Sequence, residues 1–550
     1  MPSYETACFI FGSWGFHFGG PTLLFRPQSF LGIYSFRFIH TAFLFEDDLD
    51  KLFYPVKLAE IEGGRLFTAL SNPFGNERLF DPTAPTNNQL VLGAKTNFFY
   101  NLSPLYIQTD FNSTLTQKKD TTYYENWSGT DNNYRDRIEL RDSVLLGNLY
   151  GQKGFLLSLG NQSFGFLFLY ANESRKAYPN RGPGFPFYYG NYVYSHAEYN
   201  NLNNNLTRKD TAISNYVADT TFSPLIGAIS FSFGKFSGMV FGGFHTLGNR
   251  DTAGFFAEMN TNPSAPFTGT RWNGSKVINA KAGGPIFGLQ TDFGFGGENW
   301  KSNLTLAYIF RSLSNGNGKS NEFRWQGNYS ATTNPIFQQF DTTQSEYKYS
   351  SNNHDIVLFL RNKYPIHEQI WFGAGLGTEF IFGSENRDYL KVLNKNITHL
   401  DNNGNGSLDP GDFRTTNYTL SSYKQNISSS SFNYYIPVGF EVIPVSAWEN
   451  FKLRFGAMYS HISNTSKNRT YNWSVESKTI TETSGGTTET HNDIAVPGEN
   501  ISTTKSSFSN TRFYYGASLT LAERLVIDFT GFGNGILVPA FWRLSIVLKF

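Results

Sequence analysis

The strongest chemical motif in the chain is a twelve-residue stretch rich in oxygen-bearing side chains, DNNGNGSLDPGD. Its candidate ligands fall at positions 1, 3, 5, 7, 9 and 12, namely Asp401, Asn403, Asn405, the backbone carbonyl of Ser407, Asp409 and Asp412. Hard cations take oxygen ligands, and this spacing wraps a loop around one ion. We therefore expect a calcium site, with an Asn/Gly-rich solvated turn as the alternative.

The loop resembles the EF-hand calcium loop in this spacing, with Gly406 at the sharp-turn position and Leu408 at the apolar position. Position 12 is Asp412, where a longer Glu normally binds with both oxygens. The loop carries only three carboxylates, and no helix is expected on either side. The affinity should therefore be weak, in the millimolar range of extracellular sites.

Catalytic groupings are absent or weak. The stretch Gly12 to Gly15 lacks the flanking spacing of a nucleophile elbow. His354, His367 and His461 are scattered, with no spacing that suggests zinc. The single cysteine, Cys8, excludes a disulfide framework and a cysteine-rich metal site. No catalytic residue is predicted, and we do not expect an enzyme.

The composition narrows the class of protein. The 550 residues carry 45 Lys and Arg against 44 Asp and Glu, with 16% charged and 17% aromatic residues. Disordered chains are poor in aromatics and rich in charge, and nucleic-acid binding needs a basic surface, so both classes are disfavoured. The chain has no apolar run long enough for a membrane helix, yet it contains 54 Phe and 31 Tyr. A transmembrane β-barrel combines these features, because only every second strand residue faces lipid.

Individual segments alternate with the period of a strand. The C-terminal stretch AFWRLSIVLKF places Trp542, Leu544, Ile546, Leu548 and Phe550 on one face. The same alternation recurs in residues 370–382, 451–460 and 513–529. The C-terminal stretch is long enough for the roughly 9–11 residues that a tilted membrane strand requires. A soluble β-sandwich or propeller would also alternate, so this pattern leaves both classes open.

The connections between strands favour the barrel. Short joins are predicted at 234–235, 296–299, 364–367, 444–447 and 522–524. They alternate with five long polar stretches: 173–223, 248–283, 312–352, 384–430 and 463–510. This alternation is typical of a transmembrane antiparallel β-barrel with short periplasmic turns and long extracellular loops, and we expect about 14–16 strands within residues 89–550. One connection, residues 117–136, falls on the wrong side in this scheme.

Several charged residues share the polar face of their predicted strands. We expect Arg454, Arg543 and Glu379 to face the lumen, because a lipid-facing Arg at the membrane midplane costs about 2–4 kcal/mol. Lys549, at the end of its strand, is expected to extend to the lipid headgroups instead.

Two resemblances follow from these residues. The final strand, ending in Phe550, resembles the assembly signal of bacterial outer-membrane β-barrel proteins, which implies the outer membrane as location and the barrel-assembly machinery as partner. Residues 51–67, KLFYPVKLAEIEGGRLF, are similar to the hatch segment of the FadL-like (long-chain fatty-acid transporter) family at Tyr54, Pro55, Leu58, Ala59 and Gly63. This second resemblance implies a periplasmic or plug segment at 46–88 and a hydrophobic substrate.

Residues 1–45 fit a secreted barrel poorly. The apolar stretch from Phe30 to Phe45 is interrupted by Arg37 and followed by the acidic Glu46. We interpret residues 1–45 as a signal-like or mis-assigned N-terminal segment.

Together these features predict an outer-membrane porin or transporter that passes small molecules, hydrophobic ones included, through a barrel lumen. Its expected partners are outer-membrane lipid and a small-molecule solute, without nucleic acid. The alternative is a surface-exposed adhesin or ligand-binding barrel that uses its long extracellular loops.

Overall fold

The computed structural model describes residues 44, 51–71, 86–97, 100–127, 135–178, 192–200, 205–261, 267–297, 300–332, 334–445, 450–533 and 541–550. The predicted signal-like segment 1–45 therefore lies outside the described residues, apart from Leu44. No helix in the described ranges is long and apolar enough to cross a bilayer.

The described residues include a short 3-10 helix, Pro55–Glu60, and a series of strands. The strands are β1 (Arg65–Ser71), β2 (Thr86–Lys95), β3 (Leu102–Trp127), β4 (Arg135–Gly160), β5 (Phe164–Tyr178), β6 (Tyr192–Asn200), β7 (Asn205–Phe233), β8 (Phe236–Asn260), β9 (Thr268–Gly297), β10 (Trp300–Ser330), β11 (Phe337–His367), β12 (Ile370–Leu400), β13 (Phe413–Val442), β14 (Phe451–Thr483), β15 (Gly486–Asn492), β16 (Asn500–Leu521), β17 (Leu525–Gly533) and β18 (Phe541–Lys549).

These strands form one closed antiparallel sheet. Apart from β5 with β6 and β15 with β16, successive strands pair along the chain, and the first strand pairs with the last. Arg65 at the start of β1 lies opposite Lys549 of β18 on one side and opposite Lys95 of β2 on the other. The sheet therefore has no free edge at the chain termini, which is the barrel predicted from the sequence.

Two wall positions are interrupted strands. β5 and β6 both pair antiparallel with β4 and with β7, at different heights, so they share one position. β15 and β16 likewise share one position beside β14. If each pair counts once, the eighteen described strands occupy sixteen positions in the ring. Sixteen is even, as antiparallel closure requires, and lies at the upper end of the predicted range.

The two faces of the wall differ as the alternation predicts. On β14 the side chain of Phe455 is 50% exposed and that of Arg454 is 7% exposed, and on β18 the corresponding values are 42% for Leu548 and 9% for Val547. The exposed members form an apolar belt around the outside, which includes Leu225, Ile229, Val240, Phe244, Leu289, Phe293, Leu306, Ile356, Leu358, Leu376, Phe380, Ile436, Phe440 and Phe455. A closed antiparallel ring with such a belt is the architecture of bacterial outer-membrane proteins.

The strands of one side extend far beyond this belt. β10 to β14 contain 30 to 33 residues each. Strands of this length span about 100 Å at about 3.3 Å per residue, whereas a tilted membrane strand needs only about 9–11 residues. Most of the polar stretches 312–352, 384–430 and 463–510 are therefore paired strand extensions rather than irregular loops. Both of their faces are polar, so alternation gave no sign of them.

The predicted connection at residues 117–136, which fell on the wrong side of the barrel, is explained by strands that are longer than predicted. β3 continues to Trp127, and the predicted strands 137–149 and 153–160 are one strand, β4. β3 ends at Trp127 and β4 begins at Arg135, so the strand ends lie at the same end of the sheet as those that flank the other long connections.

Candidate functional site in the barrel interior

Residues 51–61, which we call the plug, lie inside the ring. The plug contains the 3-10 helix, which begins at Pro55, where a proline loses no helical hydrogen bond. Its buried side chains are Leu52, Phe53, Tyr54, Val56, Leu58 and Ile61. They pack against apolar inner-face residues of the wall, namely Val91, Leu105, Ile107, Leu156, Leu167, Leu169, Ala171, Ile226, Ala228, Met239, Phe241, Ile286, Ile309, Val526 and Val547.

Hydrogen bonds and close backbone contacts fix the plug in this seat. The Ser158 hydroxyl donates to the Leu52 carbonyl at 2.6 Å, and the Val56 amide donates to the Ser230 hydroxyl at 3.1 Å. A Cβ atom added at Gly160 would lie 2.1 Å from the Pro55 carbonyl oxygen. Glycine is therefore required at this contact, because any larger residue would displace the plug.

A buried ammonium group closes the end of the plug. Lys95 is 1% exposed, and its Nζ donates to the Ile61 carbonyl at 2.6 Å, to the Gly63 carbonyl at 3.0 Å and to Asn97. A buried charge is tolerated only with such compensation. Gly63, with φ +68°, then turns the chain toward β1.

The structure shortens the predicted plug segment 46–88. Residues 65–71 and 86–88 belong to β1 and β2, and Leu66 lies opposite Leu548 on one side and Ala94 on the other. The FadL-like pattern residues Tyr54 and Leu58 lie within the plug and are 6% and 0% exposed.

The inner face of β11 to β14 is charged. Arg454 and Glu441 are 7% and 6% exposed, and the Arg454 Nε donates to Glu441 Oε2 at 2.6 Å. The Lys363 Nζ lies 4.0 Å from Glu441 Oε1 and 4.6 Å from the centre of the Trp371 ring. We call Lys363, Glu379, Glu441 and Arg454 the charged wall.

Two of the three predicted lumen residues lie in this charged wall. Arg454 is part of the ion pair just described, and Glu379, 7% exposed, accepts a hydrogen bond from Asn433 Nδ2 at 2.8 Å. The side chain of Arg543 lies outside the described residues; its backbone position pairs with Thr530. Sequence reasoning missed Glu441, although its parity within β13 and its position across the hairpin from Arg454 were available signals.

The predicted calcium loop directly follows β12. Asp401 is fully buried, and its carboxylate accepts hydrogen bonds from the amides of Gly404, Asn405 and Gly406. Asp412 is 3% exposed. Hydrogen bonds from the amides of Asn402 and Asp409 lower its pKa.

The other predicted ligands face each other across the same loop. The side-chain amides of Asn403 and Asn405 donate to Asp409 Oδ2 at 2.8 and 2.7 Å, and the Ser407 amide donates to the side chain of Asn405. In the described part of the chain no three acidic, histidine or cysteine side chains converge as a metal site. A calcium ion would therefore depend on amide and carbonyl oxygens beside two buried carboxylates.

Comparisons with known proteins do not identify a family. No family model and no curated protein matches the chain. Among solved structures, a Pseudomonas aeruginosa FadL homologue is 10% identical, with 92% of this chain and 95% of that chain covered and a TM-score of 0.24. The FrpB iron transporter from Neisseria meningitidis is 7% identical over 90% and 83%, with a TM-score of 0.22. The ferric yersiniabactin uptake receptor FyuA from Yersinia pestis is 8% identical over 88% and 80%, also with 0.22. At these TM-scores the likenesses carry no argument, and the barrel assignment depends on the strand ring itself.

Proposed function

We propose that this chain is an outer-membrane transporter that passes small solutes through its lumen, with residues 51–61 as the plug. The observation that supports this most is the closure of sixteen wall positions. A ring of about 16 strands encloses more space than wall side chains can fill, so it leaves an aqueous channel unless another segment occupies it. We propose no enzymatic role.

Polar solutes fit this lumen better than the hydrophobic substrate implied by the FadL-like resemblance. The apolar part of the inner wall is covered by the plug. The charged wall lies on the inner face of β11 to β14, with Arg454 and Glu441 7% and 6% exposed. An apolar molecule would gain nothing from these charges, whereas a hydrated solute retains its polar contacts.

Planar-bilayer conductance tests the transport proposal. Leu58→Asp places a charge in the apolar seat and should release the plug, so we expect a higher conductance than in the wild type. If the plug is deleted instead of mutated, the deletion must end at residue 61, because the strand Arg65–Ser71 pairs with both β18 and β2 and closes the ring. Glu62→Ala, at an exposed position beside the plug, is the matched control and should conduct like the wild type. Heat-modifiable migration on gels verifies that each variant is folded.

Two results would contradict the proposal at different levels. Equal conductance of the wild type and Leu58→Asp would show that the plug does not restrict flow through the lumen. If no folded form conducts ions, the transport proposal is wrong and the surface-binding alternative replaces it.

One observation favours this alternative, a surface-exposed adhesin or ligand-binding barrel. β10 to β14 extend about 20 residues beyond the apolar belt, which a pore alone does not need. An adhesin should lose binding to host cells or matrix when residues 471–499 are removed, and no form of it should conduct.

We also propose two interactions of the barrel. The loop from Asp401 to Asp412 binds calcium weakly, supported by its ligand spacing and by two buried carboxylates. Calcium-dependent protection of this loop from protease measures that binding. The final strand, β18, is the segment that the barrel-assembly machinery recognises, and loss of assembly on deletion of Phe550 would test this.

A further inference from the structure

A row of polar side chains crosses six neighbouring strands above the apolar belt. Each member lies directly opposite the next in the strand pairing, in the order Lys281 on β9, Asn317 on β10, Lys348 on β11, Asp388 on β12, Lys424 on β13 and Tyr471 on β14. Neighbouring strands are about 4.8 Å apart, so lysines on alternate strands follow each other at about 10 Å. We call Lys281, Lys348 and Lys424 the lysine row.

The lysine row lies on the outer face of the wall. Each lysine has the parity of an exposed belt residue on its own strand: Leu289 for Lys281, Ile356 for Lys348 and Ile436 for Lys424. The strand pairing contains no register shift between each lysine and that belt residue, so the alternation holds over the whole stretch. All three lysines are exposed. The row therefore points away from the lumen.

The three lysines are not neutralised by the protein. Within the part of the chain that the structure describes, none of them forms an ion pair. Other exposed lysines of these strands do, since the Lys319 Nζ lies 2.8 Å from Glu346 and the Lys478 Nζ lies 3.1 Å from Glu489. The polar row thus contains three positive charges and one negative charge, that of Asp388. An anion beside it would interact favourably with more than one lysine.

A pocket of about 540 Å³ lies between Lys348 and Lys424. Its lining also includes Asn317, Asn386 and Asp388. Two adjacent rows of outer-face residues line it, with only the inner-face row that lies between them, as expected for a pocket on the outer side of a sheet. Its volume is in the usual range for ligand sites. Ammonium groups beside amides suit a ligand that carries both phosphate and hydroxyl groups.

The lysine row lies higher than the headgroups of ordinary phospholipids. Lys348 and Lys424 are each eight residues beyond the last apolar outer-face residue below them, Ile356 and Phe432. Eight residues of a strand tilted by about 40° rise about 20 Å. The headgroup layer adds only about 5–8 Å to each side of the hydrocarbon core. A phospholipid phosphate would therefore not reach the row, whereas phosphates on an extended saccharide would.

We propose that the lysine row binds the phosphorylated saccharide of a glycolipid in the outer leaflet. The acyl chains of this lipid pack on the apolar belt, its saccharide rises along the outer face of β9 to β14, and its phosphates contact Lys348 and Lys424. The strands of β1, β2, β17 and β18 have only 7 to 10 residues and offer no such surface above the belt. The lipid is thus held on one side of the barrel. This inference goes beyond transport, because it does not depend on what the lumen passes.

Native mass spectrometry of the full-length protein in detergent tests this proposal by titration with three lipids. The probes are rough lipopolysaccharide with a phosphorylated core, the same lipid after removal of its phosphates with hydrofluoric acid, and phosphatidylglycerol. The first should bind at least about tenfold more tightly than the other two. Lys348→Gln with Lys424→Gln should weaken its binding by about tenfold or more, whereas Lys348→Arg with Lys424→Arg keeps both charges and should retain it. Asp388→Asn removes the acid between the lysines and should strengthen binding.

Arg414→Gln with Lys478→Gln is the matched control. It removes two exposed cations of β13 and β14 that already pair with Glu482 and Glu489, and it should bind the lipid like the wild type. Equal losses in the control and in the double glutamine variant of the row would overturn the proposal, as would equal binding of the dephosphorylated lipid. If phosphatidylglycerol binds as tightly and through the same lysines, the assignment to a phosphorylated saccharide is wrong. Heat-modifiable migration must be the same for all variants compared.

Discussion

The barrel has a short side and a tall side, which share the same strand alternation but differ in the residues on their inner faces. The short side, β1, β2, β17 and β18, has strands of 7 to 10 residues. Its inner residues Val91, Val526 and Val547 pack on the plug. The tall side, β10 to β14, has strands of 30 to 33 residues. It carries the charged wall at membrane height and the stacked side chains of Tyr389, Tyr423 and Trp473 above it.

The outer faces of the two sides are alike because lipid imposes the same requirement on both. The inner faces are free to differ, since each contacts only what the lumen contains. An apolar inner face holds an apolar chain segment, whereas a charged one keeps water and hydrated solutes beside it. In the proposed function, this asymmetry lets one barrel hold the plug on one side and line a polar passage on the other.

The largest expected effect is on the outer face that both sides share. Ile436→Arg places a charge in the apolar belt and should prevent assembly, because Arg at the membrane midplane costs about 2–4 kcal/mol. Ile494→Arg is the matched control, since Ile494 is 44% exposed and Ile436 is 42% exposed, but residue 494 lies above the belt. Heat-modifiable migration measures folding. Equal tolerance of both changes would show that the belt does not face lipid.

The next effect distinguishes the charged wall from ion pairs in water. Glu441→Gln removes the carboxylate charge that pairs with buried Arg454 and should lower the free energy of unfolding by about 3 kcal/mol. Glu489→Gln removes a partner of Lys478 in an exposed pair, at 3.1 Å, and should cost less than about 1 kcal/mol. Urea titration followed by tryptophan fluorescence compares the two variants. Similar losses of unfolding free energy in the two variants would mean that water reaches the charged wall as freely as it reaches the exposed pair.

A smaller effect is expected on ion selectivity. Arg454→Ser combined with Arg543→Ser should shift the reversal potential in a salt gradient toward cation preference, and Glu379→Ser should shift it toward anions, because fixed lumen charge sets the local ion balance. Lys467→Ser removes an exposed cation of β14 with the opposite parity to Arg454 and should leave the potential unchanged. If Lys467→Ser shifts the reversal potential as much as the double variant does, the assignment of Arg454 and Arg543 to the lumen is wrong.

The smallest effect concerns the calcium loop at the outer end of the tall side. Asp401→Ala with Asp412→Ala should abolish calcium-dependent protection from protease without unfolding the barrel, whereas Asp493→Ala, at an exposed acid, should leave it intact. The pKa of Asp412 is lowered in the fold, so its stabilising contribution is present at neutral pH and is lost as the pH falls through that lowered pKa. A wild-type loop whose cleavage never responds to calcium would be an ordinary turn.

Some contacts in the barrel interior could have been predicted from the sequence. Glu441 and Arg454 are 13 residues apart on one hairpin, so a correct turn position would have paired them. The seat of the plug was not within reach, because Val56 bonds to Ser230, which lies 174 residues further along the chain. The strand extensions were also hidden, since segments with water on both faces have no apolar alternation.

The sequence by itself determined the fold class, the outer face and the parity of the membrane strands, because lipid on one side forces every second residue to be apolar and this pattern is local. Only the tertiary structure decided which inner residues meet, where the strands end and that residues 51–61 pack inside the ring. These depend on register and ring closure, which bring Arg65 against Lys549 and place Tyr347, Tyr389 and Tyr423 side by side. Contacts of this kind form between distant segments across the sheet, and no local period encodes them.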